Sequence, residues 1–194
     1  MLVLCVTVAA AAAAVTLGGP KLPPSQADYS TVSRRIATLS IVSPDLEELF
    51  FGEVRKCADI QRAGSLAELR AVLERERAGP QSPITVDLIG HSTRDHLLRL
   101  GDTAIDMLNP IVAGFFQSIG DDQLLLRLDA VAVRLLGCET AVSASSKRTL
   151  RMLARTLRVP VFGTLKPLMK SHYDQFGFNP AFANILVEAS ELAC

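Results

Sequence analysis

The sequence predicts an α/β fold, a three-layer sandwich with a mostly parallel central sheet. Three observations predict it. Apolar runs of strand length alternate with stretches of helical periodicity, a pattern that requires parallel pairing through right-handed crossovers. Two of those runs, Ile84-Thr85-Val86-Asp87-Leu88-Ile89 and Val131-Ala132-Val133-Arg134-Leu135-Leu136, each stop at a glycine and read as buried strands. Finally, 49% of the 194 residues are apolar, enough for a core without disulfide or metal staples.

The elements follow in order. Residues 36–42 (I-A-T-L-S-I-V) form the first strand, and Ser43-Pro44-Asp45 is a turn or helix start. Residues 46–54 suit a short helix, and 57–61 a weak second strand. Ser65 and Glu68 form a capping box, with Leu66, Leu69, Val72 and Leu73 at helical spacing behind it and Gly79-Pro80 as the stop. The strand 84–89 is next, then an arm at 97–100 turning at Gly101-Asp102. Helices are expected over 106–116 and 121–128, and a strand over 131–136. Ser145 or Ser146 caps a helix over 147–157, with Leu150, Leu153, Ala154 and Leu157 on one face. A last strand covers 159–165 despite Pro160. Residues 169–194, with Phe176, Phe178 and Phe182, are expected to form a helical tail packed on the sheet.

Residues 1–34 read as an apolar leader and linker ahead of a domain over 35–168. The apolar segment 2–17 ends at Gly18-Gly19-Pro20, is short for a membrane span and has no basic residues before it. A cytoplasmic protein is therefore expected. Export or membrane attachment through 2–17, with an A-x-A-like site at residues 12–14, is the alternative. Acidic and basic residues balance at 20 each, and tryptophan is absent, which disfavours nucleic acid as a partner. Lys147, Arg148, Arg151, Arg155 and Arg158 make one side of a helix basic, the usual mark of a solvated face. The cysteines at 5, 57, 138 and 194 have neither metal-ligand spacing nor a disulfide pattern, and no metal or cofactor is expected.

His91 and Cys138 carry the chemistry. Each follows the glycine that ends a predicted strand, and the carboxyl ends of parallel strands are where catalytic groups collect. An imidazole beside a thiol is the minimum for a thiolate nucleophile with a general acid–base. Gly90-His91-Ser92-Thr93-Arg94 has a second reading as a nucleophile elbow with Ser92 as the nucleophile. That motif wants glycine where Arg94 stands, and it would need His172 as base.

The 47-residue separation of His91 from Cys138 matches the caspase arrangement, and the chain resembles a caspase-like cysteine peptidase of the bacterial CHAT-domain branch. The resemblance rests on the strand into His91, on Leu98-Arg99-Leu100-Gly101, on Leu135-Leu136-Gly137-Cys138-Glu139-Thr140-Ala141, and on the helix and strand from Lys147 to Leu165. It covers about residues 36 to 165. It implies a cysteine endopeptidase acting on a protein or peptide substrate. Cys138 would be the nucleophile and His91 the acid and base, and the backbone N–H groups of Ser92 and Cys138 would form the oxyanion hole. The family usually has His-Gly where this chain has His91-Ser92. That departure keeps open a catalytically inactive module that binds a partner or regulatory protein. Asp87, two residues up-strand from Ile89 and on the face of His91, is a candidate to orient the imidazole. Glu139 is a candidate substrate contact or a solvated side chain.

Overall fold

The computed structural model describes residues 36–45, 60–76, 83–174 and 176–193. The leader and the helix expected over 46–54 lie outside the described residues. Among the described residues six strands make the central sheet, in the order β10-β7-β6-β3-β1-β2. They are β1 (Ala37–Val42), β2 (Ile60–Arg62), β3 (Ile84–Ile89), β6 (Ala130–Leu136), β7 (Val161–Thr164) and β10 (Leu186–Glu188). All neighbours pair in parallel except β10, which runs antiparallel to β7. β1, β6 and β7 thus form within a residue or two of expectation and β3 coincides with its predicted span, whereas β2, expected over 57–61, is described only at Ile60–Arg62. The arm after His91 is a hairpin of β4 (Arg99–Leu100) and β5 (Thr103–Ala104).

Strand alternation divides the sheet residues between two faces. Ile41, Val86, Leu88, Val133 and Leu135 face a core shared with α1 (Leu66–Arg75), α2 (Pro110–Asp121), α3 (Leu124–Arg127) and α4 (Ala144–Leu157). Val42, Ile89 and Leu136 face the other way, against Phe178 and Ile185 of the tail. Among the described residues the two outer layers are therefore unequal: helices on one side, the tail on the other.

Helix ends follow local capping chemistry. Ser65 Oγ accepts the Glu68 N–H at 3.2 Å, while the Glu68 carboxylate takes the Gly64 N–H at 2.7 Å, one residue earlier than a standard capping box. α2 starts later than expected because Asn109 caps it and Pro110 fills its first turn. α4 starts earlier than expected. Ser143, rather than Ser145 or Ser146, is the cap, accepting the Ser146 N–H at 3.0 Å.

The tail is not an α-helix, contrary to expectation. It contains short 3₁₀ turns at Lys170–His172 and Pro180–Ile185, a hairpin of β8 (Tyr173–Asp174) and β9 (Gly177–Phe178), and then β10. Gly177 has φ +103°, open to glycine alone, and Pro180 removes a donor, so no helix can run through Phe178 and Phe182 together. The described tail residues fall in the same compact unit as the sheet, so the tail is part of the domain.

Beneath the tail lies a buried ion pair. Asp87 and Arg134 are register partners on β3 and β6. Both carboxylate oxygens are held by the guanidinium, at 2.6 and 2.8 Å, and Arg134 stacks 5.2 Å from the Phe178 ring centroid. Burial pushes the Asp87 carboxyl above its ordinary range, and Arg134 opposes that shift. Removing one member strands the other charge. Arg134→Leu is expected to cost about 3–5 kcal/mol, and Asp87→Leu combined with Arg134→Met to recover most of it, as measured by urea unfolding.

His172 reports on the tail. Burial holds its imidazole below the usual value, and its Nδ1 accepts the Met169 N–H at 3.1 Å, a bond that protonation abolishes. Since the folded pKa is depressed, the ring's contribution is present above the unfolded value and lost as pH falls through the folded one. Between about pH 7 and 5, amide exchange over 169–186, corrected for intrinsic rates, is expected to accelerate relative to β3. His172→Gln should remove that pH dependence.

Candidate active site

The two glycines before His91 and Cys138 have a steric cause. A Cβ on Gly90 would stand 2.2 Å from the Arg99 carbonyl oxygen. One on Gly137 would meet Ser92 Oγ at 2.7 Å and Leu98 Cδ1 at 2.8 Å. The 92–99 segment folds directly over both strand ends, and only glycine leaves it room. The Arg99 N–H donates to the His91 carbonyl at 2.7 Å, and the Thr93 N–H to Leu97 at 2.8 Å. Thr93 Oγ1 accepts the N–H groups of Asp95 and Leu97, which closes a tight loop with His96 at φ +60°.

The Cys138 loop is anchored from below by two buried threonines. Thr164 Oγ1 donates to the Gly137 carbonyl at 2.6 Å and accepts the Thr140 N–H at 3.1 Å. Thr140 Oγ1 donates to the Leu135 carbonyl at 2.7 Å and accepts the Thr164 N–H at 2.9 Å. Between these anchors Glu139 takes the left-handed conformation at φ +61°, a costly one for a non-glycine residue. The backbone thus turns sharply just after Cys138, whose free thiol is exposed.

The β3–β6 register puts His91 and Cys138 at corresponding positions beyond two neighbouring strand ends. Ile89 pairs with Leu136, the Gly90 N–H donates to the Leu136 carbonyl at 3.1 Å, and each of the two residues is the second beyond its paired strand end. Neighbouring strands run about 5 Å apart, so the two backbones leave the sheet at adjacent positions. His91 is exposed, like Cys138. Among the described residues nothing accepts a hydrogen bond from the N–H of Ser92 or of Cys138. Ser92 does not have a positive φ, so serine stands in place of glycine there without backbone strain.

The remaining expected residues fare differently. Asp87 is on the face of His91 but does not orient it, because Arg134 takes both of its oxygens beneath the tail. Ser92 Oγ is buried and without a partner, facing Gly137 rather than solvent. His172 is in the tail, its ring 4.7 Å from that of Phe182. Glu139 is half-buried and pairs with His96, its Oε2 3.4 Å from Nδ1. Together with Ser143 Oγ donating to the Asp95 carbonyl at 2.5 Å, that pair stitches the His91 loop to the Cys138 loop.

Asp45 was not singled out from sequence. Its carboxylate accepts hydrogen bonds from Ser43 Oγ and from the Arg99 guanidinium. Burial works against ionisation, but Ser43, Arg99 and the charge of His91 together hold this carboxyl below its ordinary range. Asp45, rather than Asp87, is thus the carboxylate whose field reaches His91. Ser43 Oγ also accepts the Gly101 N–H at 2.7 Å, tying β1's end to the hairpin. Only the Ser-Pro-Asp turn signal pointed to this position.

Among the described residues no cluster of side chains could hold a metal ion, and no helix is long and apolar enough to cross a membrane. No protein-family model and no curated protein matches the sequence.

The threonine anchor is directly testable. Thr164→Val leaves the Gly137 carbonyl and the Thr140 N–H without their buried partner. It is expected to destabilise the fold by about 1–3 kcal/mol in urea unfolding, with Thr164→Ser restoring most of the loss.

Proposed function

We propose that this chain is a caspase-like cysteine peptidase, with Cys138 as nucleophile and His91 as general acid and base. The observation that carries the reading is the shared register position of the two residues, just beyond the carboxyl ends of the adjacent strands β3 and β6. The CHAT-like block from Leu135 to Ala141 supports it from the sequence side.

In this reading His91 takes the thiol proton and the Cys138 thiolate attacks the peptide carbonyl carbon. The carbonyl oxygen becomes an oxyanion, for which the N–H groups of Ser92 and Cys138 are the nearby unclaimed donors. Collapse of the tetrahedral species breaks the C–N bond, and His91 delivers its proton to the leaving amine. Water, deprotonated by the same imidazole, then hydrolyses the thioester and regenerates the thiol. Asp45 stabilises the imidazolium formed between those steps.

Two observations weigh against a serine nucleophile. The Ser92 hydroxyl is buried against Gly137, and His172 is committed to the tail. A silent partner-binding module is the second reading, and the orphaned Ser92 hydroxyl where the family has glycine favours it.

Iodoacetamide labelling separates the readings. Cys138 is expected to react faster than an ordinary exposed thiol, and His91→Ala to slow it at least about tenfold. A peptide-based thiol probe should label the wild-type chain and the Ser92→Ala variant, but not Cys138→Ala. Labelling indifferent to His91→Ala would replace the peptidase with the silent module.

A further inference from the structure

One helix face stands apart from this chemistry. α4 turns Thr149, Leu150, Leu153 and Leu157 into the core. Lys147, Arg148, Arg151 and Arg155, followed by Arg158 at its end, occupy the opposite side within an arc of about 100° at 3.6 residues per turn. The helix contains no acidic residue, although the chain as a whole has zero formal net charge. Arg151 donates to the carbonyls of Leu192 and Ala193. Among the described residues the other four cations form no ion pair.

A cavity opens where this basic face ends. It encloses about 170 Å³, and its lining includes Ile119, Leu125, Leu126, Leu157, Val159 and Arg158. Leu126 is 72% exposed at this apolar depression. The cavity is held open by backbone geometry. Gly120 lets α2 approach α4 so closely that a Cβ would stand 2.5 Å from the Thr156 carbonyl, and Gln123 and Arg158 both turn through the left-handed region. The volume is below the roughly 300 Å³ at which drug-sized ligand pockets begin, and suits a single apolar side chain.

We propose that the basic face of α4 and the cavity at its carboxyl end form one docking site for an acidic peptide segment of a partner protein, anchored by one apolar side chain. Arginine dominates the stripe, and its planar fork suits carboxylates. Phosphate groups would use the same charges, but nucleic acid has no use for an apolar cavity of side-chain size, so the combination selects a peptide. An anchor side chain desolvated in a pocket dominates binding energy where a charged rim supplies rate and register. The cavity touches Ala130 and Val159, at the amino ends of β6 and β7. Seven residues of β6 put it about 20 Å from Cys138, so a docked segment leaves the candidate active site open. This assignment does not depend on the peptidase reading.

The test uses the full chain and fluorescein-labelled acidic peptides with a central Leu, Phe or Ala, read by fluorescence anisotropy. Single-stranded DNA and phosphatidylserine vesicles are the competing probes. The Leu or Phe peptide is expected to bind at least about tenfold more tightly than the Ala peptide. Arg155→Glu with Arg158→Glu should weaken binding about tenfold or more and flatten its salt dependence. Leu126→Asp, at an exposed position, should abolish the preference for an apolar anchor while leaving the melting temperature unchanged. The proposal is overturned if no peptide binds below about 500 µM. It is also overturned if the anchor residue makes no difference, or if DNA or vesicles bind as tightly as the best peptide.

Discussion

The pairing of β3 with β6 is the constraint on which the rest depends. One register fixes three things at once. It joins Asp87 to Arg134 beneath the tail, sorts Leu88 and Leu135 to the helical face, and brings the two glycine-terminated strand ends level. A slip of one residue would turn every side chain to the opposite face, leaving an aspartate against the helices and leucines beneath the tail. The buried ion pair adds little net stability by itself, yet it penalises every register but one. Specificity of alignment is what the candidate site inherits from it.

The site is consequently built from backbone more than from side chains. His91 and Cys138 are held by the strands that precede them and by loops pinned with main-chain and threonine hydrogen bonds. The His96–Glu139 pair and the Ser143–Asp95 bond join those loops at a second level, above the sheet edge. Two non-glycine residues in left-handed conformations, His96 and Glu139, lie at this junction. Each is compensated by the contact that the strained turn makes possible. Asp45 completes the arrangement from the end of β1, with Arg99 limiting its freedom.

Local signals made the sheet and its two glycine-terminated strand ends legible. The apolar runs into Gly90 and Gly137 admit one interpretation because a steric rule and a pattern rule agree there. What lay beyond local reading was pairing at a distance. Asp87 looked like a neighbour of His91 because alternation along one strand was visible, whereas Arg134 sits on another strand at the same 47-residue offset. The tail was misread because its phenylalanines suggested an amphipathic helix, while Gly177 and Pro180 between them forbid one. Asp45 and His96 acquire their roles only when loops distant in sequence meet. Lone polar residues in turns give no warning of that.

The antiparallel edge strand has a consequence for the life of the chain before it is folded. β7 is protected on one side by β6 and on the other by Leu186–Glu188, some twenty residues downstream of its own end. While those residues are still within the ribosome, the emerging polypeptide can assemble its parallel strands but must present β7 as a bare, hydrogen-bond-hungry margin. Such margins invite pairing with other nascent chains. The interval is short at ordinary elongation rates, and it closes when the final strand docks. The stretch that looks most like an appendage is therefore the element that covers β7 and leaves a three-residue strand as the margin in its place.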